Sequence, residues 1–192
     1  MSLKEKNNIR KEILGKRNSL NDYYVNKNSI LIIKYICNII EQHNFNNIMI
    51  FMNMNNEVEI TRLLNIYSNK NFYIPKTFRN GDMRISKYDK KYLVLHKFGY
   101  YESCSEIYED DSILDLIIIP GIVFDKNKNR IGFGGGYYDK FLYKLKENHN
   151  KNNTKLPLIV AVCYDFQLLN SIPYEKHDIK PDIIITEKQT IK

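Results

Sequence analysis

Hydrophobic positions near the start of the chain recur at helical spacing. Leu3, Ile9, Ile13, Leu14 and Leu20 fall loosely on one side of residues 3–20, with Lys and Arg on the other, which predicts an amphipathic helix. A second, longer helix is expected over residues 21–43, where Asn21 or Asp22 can cap the start with a short polar side chain. Residues 47–52, "NIMIFM", form a short apolar run and read as a buried strand. Helical period returns over 57–70, and 71–75, "NFYIP", is a strand stopped by Pro75.

Farther along, residues 82–98 alternate apolar and polar positions, as in a pair of half-buried strands. The polar stretch 103–112 reads as an exposed loop, and "LDLIIIPG" (114–121) is the most strand-like segment of the chain. A helix follows over 137–149, then a loop at 151–155 with the character of an insertion. Two more buried strands are expected at 156–164 and 181–186. Strand and helix alternate, and several strands are apolar throughout rather than on one face. That combination predicts an α/β fold: one domain over residues 1–192, a three-layer sandwich with a largely parallel central sheet flanked by helices.

Composition changes this picture little. Apolar residues make up 43% of 192, which suits a globular chain with a real core, and no apolar run is long enough to span a membrane. The charged opening "MSLKEKNNIRKEIL" has no apolar stretch followed by a cleavage site, so no secretory signal is expected. Cys37, Cys104 and Cys163 are widely spaced and odd in number, which argues against disulfides and zinc and for a reducing, cytoplasmic setting. The net charge of +7 is open to three readings: nucleic-acid binding, a polyanionic small ligand, or a bias toward Lys and Asn. The lysines scatter and form no dense run, which favours the last.

Glycine is where the chain becomes chemically specific. Four of its eight glycines, Gly132, Gly134, Gly135 and Gly136, fall in "RIGFGGGYYDKFL", between the expected strand and helix. Residues without side chains let the backbone approach a ligand closely, and the N–H groups of such a loop and of the helix start can converge on phosphate. Arg130 offers a planar fork of donors, and Asp139 offers a carboxylate that could hold Mg²⁺. The familiar nucleotide motifs do not fit, because no Lys-Ser/Thr follows and Tyr137 stands where a dinucleotide fingerprint needs glycine. On these residues alone a structural turn remains an equal alternative.

The longer segment "DLIIIPGIVFDKNKNRIGFGGGYYDKFL" (115–142) resembles the signature of the 5-formyltetrahydrofolate cyclo-ligase family, with its strand, Pro-Gly, Phe-Asp and Arg-x-Gly-x-Gly-x-Gly-Tyr-Tyr-Asp. "KNNIR" (6–10), "FMNMNNEVEIT" (51–61), "YIPK" (73–76) and "HDIKPDIIIT" (177–186) resemble further family segments, so the likeness covers all but the loops near 101–113 and 148–155.

The resemblance implies closure of 5-formyltetrahydrofolate to 5,10-methenyltetrahydrofolate, with ATP and Mg²⁺ as cofactors and a phosphorylated formyl intermediate. It implies that Lys6, Arg10 and Arg130, with Gly132, Phe133, Gly134, Gly135, Gly136, Tyr137 and Tyr138, hold ATP. Met52, Glu57, Phe133, Gly134, Gly135, Gly136 and Tyr137 would meet the folate, with Glu57 on the pterin. Arg130 and Tyr137 are the implied catalytic residues, and Asp139 and Asp182 the implied Mg²⁺ ligands. Some family members carry Arg and Lys in the glycine loop, where this chain has Phe133 and Gly135, which shifts charge neutralisation onto Lys6, Arg10, Arg130 and Mg²⁺. The expected partner is the folate, with or without a polyglutamate tail. No nucleic acid or membrane is expected, and the chain is expected to act as a monomer with a dimer left open. Two competing readings stand behind this one: a relative that keeps the fold but does other chemistry, and a basic nucleic-acid-binding module.

Overall fold

The computed structural model describes residues 3–175 and 178–192. The expected helices open the chain as α1 (Leu3–Asn18) and α2 (Asp22–His43). Asn21 caps α2: its side chain accepts from the Tyr24 N–H, one of the donors a helix start leaves unpaired. The helix ends at Asn44 in the left-handed region (φ 51°), where a short polar residue is tolerated.

A seven-stranded sheet forms the middle layer. Its five interior strands are β1 (Asn47–Met49), β2 (Asn71–Thr77), β6 (Leu116–Ile119), β9 (Leu158–Val162) and β11 (Ile183–Ile185). They pair in parallel in the order β11-β9-β6-β1-β2. Antiparallel strands close both edges: β3 (Met83–Lys87) beside β2, and β12 (Thr190–Ile191) beside β11.

Alternate residues of these strands serve opposite faces. Ile48, Leu116, Ile118, Val160 and Val162 join Ile32, Ile36 and Ile40 of α2 in one core. Met49, Ile117, Ile119, Ile159 and Ala161 join Phe141, Leu142 and Leu145 of α4 (Tyr137–Asn152) in the other. Two buried faces explain the unbroken apolar runs, and the expected three-layer α/β sandwich with a mostly parallel sheet is what forms.

Several elements differ from expectation. Residues 57–70 do not make one helix: a 3₁₀ turn (Ile60–Arg62) leads into a single α turn, α3 (Leu63–Ile66). The chain just before it is a closed turn: the Glu57 N–H donates to the Met54 carbonyl, and the Glu57 carboxylate accepts from the Met54 N–H. Residues 82–98 do supply two strands, as expected, but the two join different sheets. β3 joins the central sheet, while β4 (Leu93–Leu95) pairs with β5 (Tyr101–Ser103) in a separate ribbon that takes in the start of the expected loop. α4 runs past residue 149 to Asn152 and so covers the start of the expected 151–155 loop.

A small sheet of β7 (Val123–Asp125), β8 (Arg130–Ile131) and β10 (Leu168–Leu169) went unforeseen, because strands of two or three residues carry no periodicity. α1 packs on it through Ile13, with Ile122, Val123, Ile131 and Ile172. Within its hairpin the buried Asp125 carboxylate accepts from the backbone N–H groups of Asn127, Asn129 and Ile172 and from the Asn129 amide. The acid of the Phe-Asp step is therefore an architectural tie.

Candidate active site

The β7–β8 hairpin brings Arg130 to the end of β6. Its side chain is almost wholly buried, and Nη2 donates to Asp139 Oδ1 at 2.7 Å while Nη1 reaches the Pro120 carbonyl at 3.4 Å. The guanidinium lies 5.8 Å from the centre of the Tyr138 ring. Arg130 Nε is buried and has no partner, so the residue keeps one donor uncommitted. Gly132 makes room for this: a Cβ there would stand 3.0 Å from Arg130 Nη1.

Five residues of loop then lead into α4, with Gly134 (φ 100°) and Gly136 (φ 66°) in the left-handed region that other residues avoid. From the first helix, Arg10 Nε donates to the Gly132 carbonyl at 2.8 Å, and its Nη1 bonds Asn7. Gly135 lies against the Tyr137 ring, whose hydroxyl donates to the Phe78 carbonyl at 3.3 Å. Burial, with the Glu57 charge nearby, pushes the Tyr138 hydroxyl well above its ordinary value. Tyr138 is thus a neutral phenol within electrostatic reach of Glu57 and Arg130.

Glu57 leaves the carboxyl end of β1 and is buried. Its Oε2 accepts from Met54 N–H at 3.0 Å and its Oε1 from Arg17 Nη1 at 3.2 Å. Burial raises its proton affinity, and the Arg17 charge opposes that rise. Arg17 itself is 2% exposed, the largest fully buried side chain of the described residues. Two of its donors, Nε and Nη2, have no partner. Phe133, 45% exposed, covers the guanidinium with its ring centre 5.5 Å away. Beside the pair is a cavity of about 10 Å³ lined by Arg17, Glu57, Phe51, Val58, Gly121 and Gln167, room for roughly one water.

The structure therefore brings Arg10, Arg130, Asp139, the glycine loop and both tyrosines to one place, with Glu57 at its side. Met52 is half-buried at the rim of the α2-side core, just past β1. Lys6 shares a face of α1 with Arg10, yet it is engaged by Glu175 at 3.0 Å and Asp178 at 3.3 Å. Burial alone would lower its pKa, but these carboxylates raise it, so Lys6 is a firmly held cation. His177 of the C-terminal family segment lies outside the described residues.

Asp182 departs from expectation. Its Oδ2 accepts from the Ile159 N–H at 2.8 Å, and its own N–H donates to the Ile159 carbonyl, at the amino end of β9 and β11. Asp139 is tied through Arg130 to the opposite, carboxyl end of the sheet. The two carboxylates do not converge, because Asp182 serves the strand start. Among the described residues no group of three or more His, Cys, Asp or Glu could hold a metal ion.

Sequence reasoning missed Arg17. An arginine in the last turn of a charged helix looks like ordinary dipole complementation. The signal was its place in the series Ile9, Ile13, Arg17, which puts a charge on the inward stripe.

An open, mainly parallel sheet with buried charges and a glycine loop at its carboxyl end belongs to the class of α/β enzymes that bind ligands in that crevice. Residues 2–187 match the model of the 5-formyltetrahydrofolate cyclo-ligase family. A probable 5-formyltetrahydrofolate cyclo-ligase of Schizosaccharomyces pombe is 30% identical over the whole chain and 99% of its own length. The solved 5,10-methenyltetrahydrofolate synthetase of Aquifex aeolicus superposes with a TM-score of 0.79 at 27% identity, covering 96% of this chain and 91% of that one. A second, from Mycoplasma pneumoniae, shares the fold with a TM-score of 0.74 at 23% identity, over 95% and 99% of the two chains. This chain belongs to the 5-formyltetrahydrofolate cyclo-ligase family and is an enzyme of that kind. No helix among the described residues is long and apolar enough to cross a membrane.

Proposed function

We propose that the chain closes 5-formyltetrahydrofolate to 5,10-methenyltetrahydrofolate with ATP and Mg²⁺. A formamide oxygen is a poor leaving group. Transfer of the γ-phosphoryl group to that oxygen, with ADP departing, turns it into a good one. N10 then attacks the formyl carbon, the carbon–oxygen bond breaks, phosphate leaves, N10 loses its proton and the methenyl bridge remains. Such a transfer needs positioning and charge neutralisation more than covalent help.

The observation that carries this reading is the convergence of Arg10 and Arg130 on one glycine loop beside Glu57. The uncommitted Nε of Arg130 and the α4 start would face the phosphates, with Lys6 and Arg10 behind them. Glu57 would accept the N–H donors of the pterin edge, and Met52, Phe133 and Tyr137 would line the pterin wall. Mg²⁺ would supply charge neutralisation, and the carboxylate that fits it here is Asp139. A single protein carboxylate suits an ion that arrives with the triphosphate. Three free thiols, one of them exposed, suit a reducing compartment such as the cytoplasm.

Methenyl absorbance followed on mixing protein, 5-formyltetrahydrofolate, Mg²⁺ and ATP tests the proposal. Product should form only when all four are present. Product without ATP, or none at all at high enzyme concentration, would overturn it.

A further inference from the structure

We infer that Arg17 determines folate specificity: paired with Glu57, it completes a recognition edge and donates to the 4-carbonyl of the pterin. The inference rests on the folate reading of Glu57 and adds to it. Three observations carry it. Arg17 is buried, yet only Nη1 is engaged, on Glu57 Oε1, while Nε and Nη2 are unpartnered. A buried guanidinium donor without an acceptor is costly, so such a group points to an occupant. The Arg17–Glu57 pair borders the small cavity, and Gln167 across it already serves the carbonyls of Gly121 and Ile122.

The chemistry of the edge supplies the occupant. A 4-oxo-pterin presents, side by side, an amino donor, a ring N–H donor and a carbonyl acceptor. Its complement is two acceptors followed by a donor. Glu57 accepts two bonds from the protein, and a carboxylate has about four acceptor positions, which leaves room for two ligand donors. Arg17 supplies the donor beside them. Its planar fork can hold Glu57 with one arm while another arm faces the ligand. Phe133 stacks on the guanidinium from the solvent side, and its ring must turn aside for a pterin to enter.

The test measures binding of 5-formyltetrahydrofolate and of its 4-amino-4-deoxy counterpart, in which an amino group replaces the carbonyl. Wild type, Arg17→Met, Arg17→Lys and Glu57→Ala are compared, with thermal melts to register folding. Arg17→Met should weaken the 4-oxo compound by about 10- to 100-fold, the range for a hydrogen bond to a charged group. The same change should leave the 4-amino compound within about threefold, since it has no acceptor there. Glu57→Ala should weaken both compounds, because both keep the 2-amino donor. Arg17→Lys keeps the charge but loses the fork, and it should fold and recover only part of the discrimination. If Arg17→Met does not fold, the ratio measured with Arg17→Lys decides. An unchanged ratio in a folded Arg17 variant would overturn the role of Arg17 while leaving the folate reading intact. Failure of the wild type to bind either compound would instead overturn the folate reading.

Discussion

At the amino end of the parallel strands, carboxylates meet backbone. Asp115 accepts from the N–H groups of Asn46 and Asn47, and Asp182 from that of Ile159. At the carboxyl end two carboxylates meet buried arginines, Glu57 with Arg17 and Asp139 with Arg130, beside backbone contacts such as Asp165 N–H to Glu187. The difference lies in what is left over. A backbone N–H has one bond to give, and at the amino end it is given. A guanidinium has five N–H groups, and buried donors of both arginines remain unpartnered. One end of the sheet is satisfied by backbone donors, and the other keeps buried arginine donors without partners.

The largest test of that contrast is Arg130→Ala. It removes the fork that ties the glycine hairpin to α4 and leaves Asp139 half-buried beside no cation. We expect kcat/KM for ATP to fall by about 10²- to 10³-fold, the scale for losing one preorganised charge donor. Steady-state kinetics with varied ATP would show it. A fall below about threefold would mean that the buried pair is structural, like Asp125.

Asp139→Asn and Asp182→Ala set the two ends directly against each other. Asp139→Asn should lower turnover about tenfold and raise the Mg²⁺ concentration needed, since it removes the carboxylate suited to that ion. Asp182→Ala should leave Mg²⁺ dependence unchanged and cost about 1–2 kcal/mol of stability through the lost bond to Ile159. Urea unfolding and Mg²⁺ titration of both variants separate these outcomes. A Mg²⁺ defect in Asp182→Ala would mean that the strand-start carboxylate also reaches the ion.

Much of this contrast was legible in the sequence, but unevenly. Interior strands declared themselves because both faces of β6 and β9 are buried, so every residue is apolar. The role of Asp182 did not, because a strand-start acid and a metal ligand have the same local sequence. They differ only in whether a neighbouring strand's N–H stands within reach. The segment at 57–70 misled for a similar reason. Leu63, Leu64 and Ile66 carry helical spacing, but the chain before them is a turn at 54–57 tied by Glu57, whose other oxygen is held by the distant Arg17. The glycine loop was legible in position and not in mechanism. The roles of Gly132 and Gly135 come from the Arg130 and Tyr137 side chains that stand against them.

A smaller effect is expected from Gly135→Ala. The added Cβ would stand 2.8 Å from two atoms of the Tyr137 ring, which must shift, and its bond to the Phe78 carbonyl would loosen. Backbone geometry is no obstacle, because Gly135 is not among the glycines at positive φ. If Tyr137 lines the folate wall, KM for the folate should rise by a few-fold, roughly 3- to 10-fold, on the scale of a displaced contact. KM for ATP should move less. Equal changes in both constants would place Tyr137 between the substrates rather than on one of them.

The smallest effect concerns the pH dependence of stability, and it isolates the carboxyl end of the sheet. Burial raises the Glu57 pKa above its ordinary 4.5 despite the opposing Arg17 charge. As pH rises from that ordinary value through the raised one, the unfolded chain has already released this proton while the folded chain still holds it. The unfolded state then binds fewer protons, so this group's contribution to stability falls as pH rises. Glu57→Gln fixes the side chain in a form that resembles the protonated acid. The two proteins should melt together at the acid end of the window, and the variant should become relatively more stable above it. Taking the difference between them cancels the other carboxylates, whose contributions are common to both. A difference that stayed flat with pH would mean that Arg17 compensates the burial of Glu57 completely. A variant that lost stability as pH rose would show the ion pair to be net stabilising, and the carboxyl end would then be as complete in its folding as the amino end.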